Sequence, residues 1–290
     1  MKLDYISARG DRLPLVTNEF FQLVHVDGMT AAAVSISSSN MGVADGDIVN
    51  NVRANARPIT LDLKIKNGVD VEEAKRAVLR VVKIKQQGTL EWSQDNRTVT
   101  ISGIVESVEM PRFTNSVTMQ ISMYCAQPFW EDIDFVVQQI NEAIDLHYFT
   151  DSAGGMLHFP EDGIALGEYD TIRTKHFSNY GDVSVGMEIS ITAFDFVTNP
   201  IIYDGNGNFF GVGYGDGEKL VQMVAGDNMI ITTHKGRKNV LLNGKSMLTK
   251  IRPRSTWLQL EAGDNTFTIN SDDESIANMT FSLIYKQQYV

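Results

Sequence analysis

The 290-residue sequence contains one cysteine, seven prolines and no long hydrophobic run. The lone Cys125 excludes an intramolecular disulfide framework, and it lies on the apolar side of an alternating segment. We therefore expect a small buried side chain there, not a nucleophile. No stretch approaches the roughly 18 apolar residues that a membrane span requires, which predicts no membrane insertion. The first residues lack the apolar core of a secretion signal, so assembly in a reducing cytoplasm is expected.

Motifs for catalysis and metal binding are also missing. No two histidines are four residues apart, and the sequence has no HExxH, GxSxG or GxxxxGK[ST] motif. The segment from Asp204 to Asn208 begins like a calcium loop. However, Phe209 occupies the position that needs glycine and Gly215 the position that needs glutamate, so a hairpin tip is favoured. We predict that the protein is not an enzyme and needs no cofactor or metal.

The charge is distributed unevenly along the chain. The formal net charge is −11, yet residues 1–130 are neutral overall and all of the excess acid lies in residues 131–290. An acidic second half is unsuited to wrapping nucleic acid, which requires basic groups. The same acidity is also what plain solubility would require. The change in charge indicates a domain boundary near Trp130.

Hydrophobic periodicity predicts a mainly β fold. Residues 117–125 and 59–65 alternate between apolar and polar, as in strands with one buried face. One helix is predicted where Asp70 begins a capping box and apolar residues follow at helical spacing through Val82. Glycine turns separate many short strands in the second half. This pattern favours an N-terminal β-barrel with one helix and a C-terminal β-sandwich.

The proposed boundary is a proline followed by two aromatic residues. Pro128 cannot donate to a sheet ladder, so the strand that ends at Cys125 stops there, and Phe129 and Trp130 follow. An ordinary strand end is the alternative interpretation. Residues 133–144 have apolar side chains three and four positions apart, which predicts a linker helix. The predicted domains are 1–130, a linker helix over 131–148, and 149–290.

Two further regions are candidate interaction sites. The polar segments Ser35–Asn40 and Asn50–Ala56 are predicted as loops, and the stretch from Asn40 to Arg57 is too long for a tight turn. It is a candidate arm for contact with a neighbouring molecule, carrying Arg53 and Arg57, with a simple hairpin over Asp45–Asn50 as the alternative. Trp257 and Tyr214 are candidates for stacking on a sugar. A place in the core or in an interface is the alternative for both residues.

Several short motifs resemble one family when they are taken in order. They are Cys-x-x-Pro-Phe-Trp at 125–130, Leu-His-Phe-Pro-Glu-Asp-Gly-Ile at 157–164, Asn-Tyr-Gly-Asp-Val at 179–183, Asn-Pro-Ile-Ile at 199–202, Gly-Asp-Asn-Met-Ile-Ile at 226–231 and Glu-Ala-Gly-Asp-Asn at 261–265. Each motif alone is weak, but their order and spacing, within a resemblance that covers about residues 50–270, resemble the distal tail proteins of phages with long non-contractile tails.

The resemblance implies a RIFT-like N-terminal barrel that assembles into a hexameric ring and a galectin-like C-terminal sandwich. The stretch that carries Arg53 and Arg57 is then the candidate arm toward a ring neighbour or the tail tube. Such a ring joins the tail tube protein to a tail-associated fibre or lysin protein and to receptor-binding proteins, and DNA passes through it without sequence recognition. The expected location is the virion tail tip, after assembly in the bacterial host cytoplasm. A carbohydrate-binding adhesin module is the alternative function.

Overall fold

The computed structural model describes residues 1–42, 45–110, 117–139, 143–145, 167–169, 174–275 and 278–290. The chain divides into two compact units. Unit 1 comprises Met1–Asp134 together with Gln288–Val290, and unit 2 comprises Phe135–Gln287.

The elements follow in chain order. From the amino terminus these are β1 (Lys2–Ser7), β2 (Arg12–Pro14), β3 (Phe21–Asp27), β4 (Val34–Asn40), β5 (Asp47–Ala54), β6 (Arg57–Ile65), α1 (Val71–Val81), β7 (Gln87–Gln94), β8 (Arg97–Glu109), β9 (Thr118–Cys125), β10 (Trp130–Asp132), β11 (Val136–Gln139) and β12 (Ala143–Asp145). They continue with β13 (Gly167–Tyr169), β14 (Thr174–Asn179), β15 (Glu188–Ala193), β16 (Val197–Thr198), β17 (Ile201–Asp204), β18 (Phe209–Gly211), β19 (Gln222–Met223), β20 (Asn228–Thr232), β21 (Asn239–Leu242), β22 (Lys245–Ser246), a short 3-10 helix (Leu248–Lys250), β23 (Gly263–Asn270), β24 (Met279–Tyr285) and β25 (Gln288–Tyr289).

Unit 1 is built on one nine-stranded sheet. Seven strands run in the order β2-β1-β7-β8-β9-β6-β3, β10 pairs with β8, and β25 pairs with β10. Alternate residues of β6 and β9 are buried, as the two-residue period of their sequences predicts. Leu13 of β2 and Phe21 of β3 belong to the same core, although they lie at opposite ends of the strand order. The sheet therefore curves around one core, as expected for the predicted barrel.

The helix α1 forms where its capping signal predicted it. The Asp70 side chain accepts a hydrogen bond from the backbone N–H of Glu72 at 3.0 Å, which satisfies a free donor of the first turn. Val78 and the following Val82 are buried in the core of unit 1, so the apolar stripe of the helix faces the sheet.

Unit 2 is a two-sheet sandwich. One sheet has the order β11-β24-β15-β20-β21-β22 and the other the order β14-β23-β17-β18. Ile189 and Phe281 from the first sheet share one buried cluster with Phe267 and Ile202 from the second. The predicted fold class is thus confirmed: the described chain is mainly β, with a single α-helix among the described residues.

The predicted linker helix is wrong where the structure describes it. Val136–Gln139 form strand β11, which pairs with β24, and residues 140–142 and 146–148 lie outside the described residues. Val136 packs against the core of unit 2, whereas Val137 is exposed. Two adjacent β-branched residues favour a strand, and pairing with the edge of a sheet stabilises them more than a short isolated helix would. This preference outweighs the helical spacing of the apolar residues.

Candidate functional site

A prominent exposed feature of unit 1 is the hairpin formed by β4 and β5, which, among the strands that the structure describes, pair only with each other. Both predicted loops, Ser35–Asn40 and Asn50–Ala56, fall largely within these strands. The loop prediction is therefore wrong. The polar sequence suggested that the backbone N–H and C=O groups of these segments bond to water, but they form cross-strand hydrogen bonds along both strands. The hairpin runs from Val34 to Ala54, longer than the predicted alternative over Asp45–Asn50.

One face of this hairpin is apolar. Ile36 pairs with Val52, and the register shifts between Ser37 and Ser38, so that Ser38 pairs with Val49. Cross-strand partners share a face, and the bulge therefore places Val49 beside Val52 although they are three residues apart. Four large side chains make up the apolar face, with exposed fractions between 53% and 64%: Val34, Ile36, Val49 and Val52.

The opposite face of the hairpin is mostly polar. Ser35 pairs with Arg53 and Ser37 with Asn51. Ser35 also donates its hydroxyl to Oδ1 of Asn55 at 2.7 Å, near the base of the hairpin. The hairpin is therefore amphipathic, although the described residues of unit 1 cover neither of its faces.

The two candidate arginines are in different environments. Arg53 lies on the hairpin and is exposed, whereas Arg57 begins β6 and is only 2% exposed. Nη1 of Arg57 donates to the carbonyl oxygen of Gly28 at 3.3 Å, and its Nε and Nη2 have no hydrogen-bond partner among the described residues. Burial lowers the pKa of Arg57. Arg57 is therefore not part of the candidate arm, because its guanidinium is buried in unit 1, where a neighbouring molecule cannot reach it. Arg53 remains a candidate.

The residues of the predicted junction motif lie at the end of unit 1. Cys125 is fully buried at the end of β9, and burial raises the pKa of its thiol to about 11. Pro128 and Trp130 are buried and Phe129 is half-buried. The indole of Trp130 packs edge-on against Trp92, with ring centroids 6.0 Å apart. The division between the units falls four residues after Trp130.

The last residues of the chain complete unit 1. Strand β25 pairs with β10, where Tyr289 faces Trp130 and Gln288 faces Glu131. The Tyr289 hydroxyl donates to Oδ2 of Asp132 at 2.7 Å, and the Arg97 guanidinium lies 3.3 Å from the centre of the Tyr289 ring. Sequence reasoning missed this contact, since two residues are too few to show a strand period. The only signal was a terminal aromatic residue following a predicted strand.

The two candidate sugar-stacking residues are both half-buried. Trp257 packs on Phe210 with ring centroids 4.7 Å apart, beside a groove of about 330 Å3 on unit 2. Tyr214 does not line this groove. The structure therefore brings Trp257, but not Tyr214, together with the polar groups of the β17–β18 turn.

The predicted calcium-like segment forms the turn of a hairpin. Asp204 accepts hydrogen bonds from the backbone N–H groups of Asn206 and Asn208, at 2.9 and 2.7 Å. No group of three or more His, Cys, Asp or Glu residues in the described ranges is arranged to hold a metal ion. None of the described helices has the length and hydrophobicity to span a bilayer.

Comparison with known proteins assigns part of the chain directly. Residues 181–289 match the family model of the siphovirus-type tail component, C-terminal domain. The structure is similar to the crystal structure of the Dit protein of phage SPP1, described as a paradigm of the hub adsorption apparatus in phages that infect Gram-positive bacteria. The TM-score is 0.67 at 11% identity, over 99% of this chain and 99% of that chain.

A chain of the phage P2 baseplate, in its activated conformation with calcium, gives a TM-score of 0.45 at 10% identity, over 100% of this chain and 99% of that chain. No curated protein sequence matches the chain. The motif at 157–164 lies outside the described residues, whereas the motifs from residue 181 onward fall within the matched family domain. Residues 181–289 therefore match the C-terminal domain of siphovirus-type tail components, and the predicted resemblance to the distal tail protein family is confirmed.

Proposed function

We propose that this protein is a structural hub of the tail tip, in which unit 1 of six copies closes into a ring. The ring joins the tail tube to tail-tip and receptor-binding proteins and leaves a passage for DNA. The proposal is supported by the likeness of the whole fold to the SPP1 Dit hub protein, and above all by the uncovered apolar face of the β4–β5 hairpin.

The hairpin supports assembly because an isolated two-stranded ribbon is marginal in water. A row of exposed Val and Ile side chains is a liability unless another surface covers it. We assign that surface to the next copy of this chain, since a patch that meets a different patch on a neighbour generates a ring when the rotation closes.

The charge distribution fits the same arrangement. Residues 1–130 are neutral overall, so six copies of this part come together without net electrostatic repulsion. The acidic excess lies in residues 131–290. A net charge of this size favours solubility, so we expect this part of the chain to remain in contact with solvent. A neutral ring also lets DNA pass without the basic groups that would hold its phosphates.

Native mass spectrometry of the full chain tests the proposal. We expect a species of six times 32.3 kDa for the unaltered protein. Replacing the facing pair Ile36 and Val52 by serine removes two of the four large apolar side chains and should give a monomer. The matched control replaces Ser37 and Asn51, the pair on the polar face, by threonine and should retain the ring. Assembly that is equally strong in the Ile36→Ser, Val52→Ser protein would refute the assigned role of the hairpin.

A further inference from the structure

We propose that the groove beside Trp257 on unit 2 binds a neutral oligosaccharide of hexose or N-acetylhexosamine units. The groove lies between the β17–β18 turn, the extended segment 256–259 and the first residues of β23. Its volume of about 330 Å3 falls at the lower end of the roughly 300–1,000 Å3 typical of small-ligand sites. This inference does not depend on the ring, because all of its residues belong to one unit of one chain.

The groove combines one aromatic surface with many polar groups. The Trp257 ring is held against Phe210 at 4.7 Å, and Phe210 is itself fully buried in the core of unit 2. The stacking surface is thus fixed before a ligand arrives, which lowers the entropy lost on binding. Nζ of Lys238 lies 5.6 Å from the centre of the Trp257 ring, and Lys238 is an exposed residue on a flexible stem that a sugar can displace.

Some polar groups of the rim are held by hydrogen bonds within the protein, and others have hydrogen-bonding capacity left for a ligand. The Asp204 carboxylate accepts from Nδ2 of Asn208 at 2.8 Å and from two backbone N–H groups, which holds the β17–β18 turn in place. The side chains of Asn206 and Glu261 make no hydrogen bond to other described residues. Gln259 also lines the groove, and its Nε2 donates to the carbonyl oxygens of Thr233 and Leu258 at 3.1 and 2.9 Å, which fixes that side chain. The side-chain oxygens of Asn206 and Glu261 are available to accept hydrogen bonds from the hydroxyls of a ligand.

This chemistry selects the class of ligand. An anionic ligand is disfavoured because Asp204, Glu261 and Asp264 all line the groove. A wholly apolar ligand would leave these polar groups desolvated and unpaired. A neutral sugar presents hydroxyls that donate to carboxylate and amide oxygens, together with a C–H face that packs on an indole. Of these three classes, only the neutral sugar matches both the rim and the Trp257 ring.

Tryptophan fluorescence of the full chain gives a direct test. Trp92 and Trp130 pack together in unit 1, so a change caused by a ligand at the groove comes from Trp257. Neutral trisaccharides of glucose, galactose and N-acetylglucosamine are titrated in turn, with trigalacturonate as the anionic comparison. We expect saturable quenching by at least one neutral sugar and none by trigalacturonate.

Variants separate the groove from the rest of the surface. Asn206→Ala lies on an exposed turn and should weaken binding about fivefold, the effect of one lost hydrogen bond. Trp257→Ala should abolish binding measured by calorimetry. Tyr180→Ala removes an aromatic residue that is 78% exposed and does not line the groove, so it should leave the affinity unchanged. Absence of quenching by every neutral sugar tested would overturn the proposal, as would equal affinity in the Asn206→Ala and Tyr180→Ala proteins.

Discussion

Replacing Tyr289 by phenylalanine should lower the free energy of unfolding of unit 1 without changing its fold. The phenol donates to the Asp132 carboxylate at 2.7 Å, and the substitution removes only that oxygen. A hydrogen bond to a charged group contributes about 1.5–3 kcal/mol. Tyr289 is partly exposed, so solvent screening reduces the expected loss to about 1–2 kcal/mol. The ring remains, and Arg97 therefore keeps its stacking contact.

Thermal unfolding followed by tryptophan fluorescence can isolate this effect. In a Trp257→Phe background, the remaining Trp92 and Trp130 both belong to unit 1 and report its unfolding alone. For a unit of this size, 1–2 kcal/mol corresponds to a fall in Tm of about 3–8 °C. The matched control is Tyr203→Phe in unit 2, whose hydroxyl makes no hydrogen bond to other described residues. An unchanged Tm in the Tyr289→Phe protein would refute the role assigned to the carboxy-terminal strand.

The same bond predicts a pH dependence with a definite sign. Burial and the Asp132 carboxylate raise the pKa of Tyr289 to about 12, above the value near 10 in the unfolded chain. The folded state therefore holds the phenolic proton more tightly, and its contribution to stability is complete below pH 10 and lost as the pH rises toward 12. The Tm difference between the unaltered protein and the Tyr289→Phe variant should shrink over that range. A difference that grows with pH would contradict the assignment.

Two other predictions follow from single sites. Gly28 has a φ of +85°, and a Cβ there would lie 2.2 Å from the carbonyl oxygen of Pro58, whereas Gly10 has a φ of +88° with open space around it. In urea unfolding, Gly28→Ala should therefore lower the free energy of unfolding by about 3 kcal/mol or more, and Gly10→Ala by about 1 kcal/mol. Equal losses in the two variants would contradict the close approach of Gly28 to Pro58. For Asp273, burial raises the pKa, but hydrogen bonds from Ser275, Ser271 and Thr198 outweigh it and lower the pKa to about 2. Its contribution to stability is present above pH 4 and decreases as the pH falls toward 2, so the Tm difference from Asp273→Asn should be much smaller at pH 2 than at neutral pH; a constant difference would contradict this.

Much of the fold could be predicted because the relevant patterns are local. The alternation in β9 and the cap at Asp70 both report directly on which side chains are buried. The alternation predicted over residues 59–65 likewise corresponds to the buried face of strand β6. In each case the local signal and the tertiary environment agree.

The misses occur where distant residues decide the structure. Helical spacing around Val136 was overridden by the open edge of β24, which lies about 150 residues further along the chain. The Ser-rich β4 has low strand propensity, and its partner β5 supplies the pairing. Arg57 could not be recognised as buried because an arginine is rarely found inside a barrel. The groove at Trp257 depends on three separate segments, so the sequence could indicate the aromatic residue but not its surroundings.

The most direct test of the central claim is electron cryomicroscopy of the purified full-length protein at the concentration where native mass shows its largest species. A hexameric ring should give six-fold class averages with a central opening, in which the β4–β5 hairpin of each copy lies on its neighbour. Particles that remain monomeric at every concentration, alone and mixed with the tail tube protein, would contradict it. A closed two-fold dimer that leaves the hairpin exposed would contradict it equally.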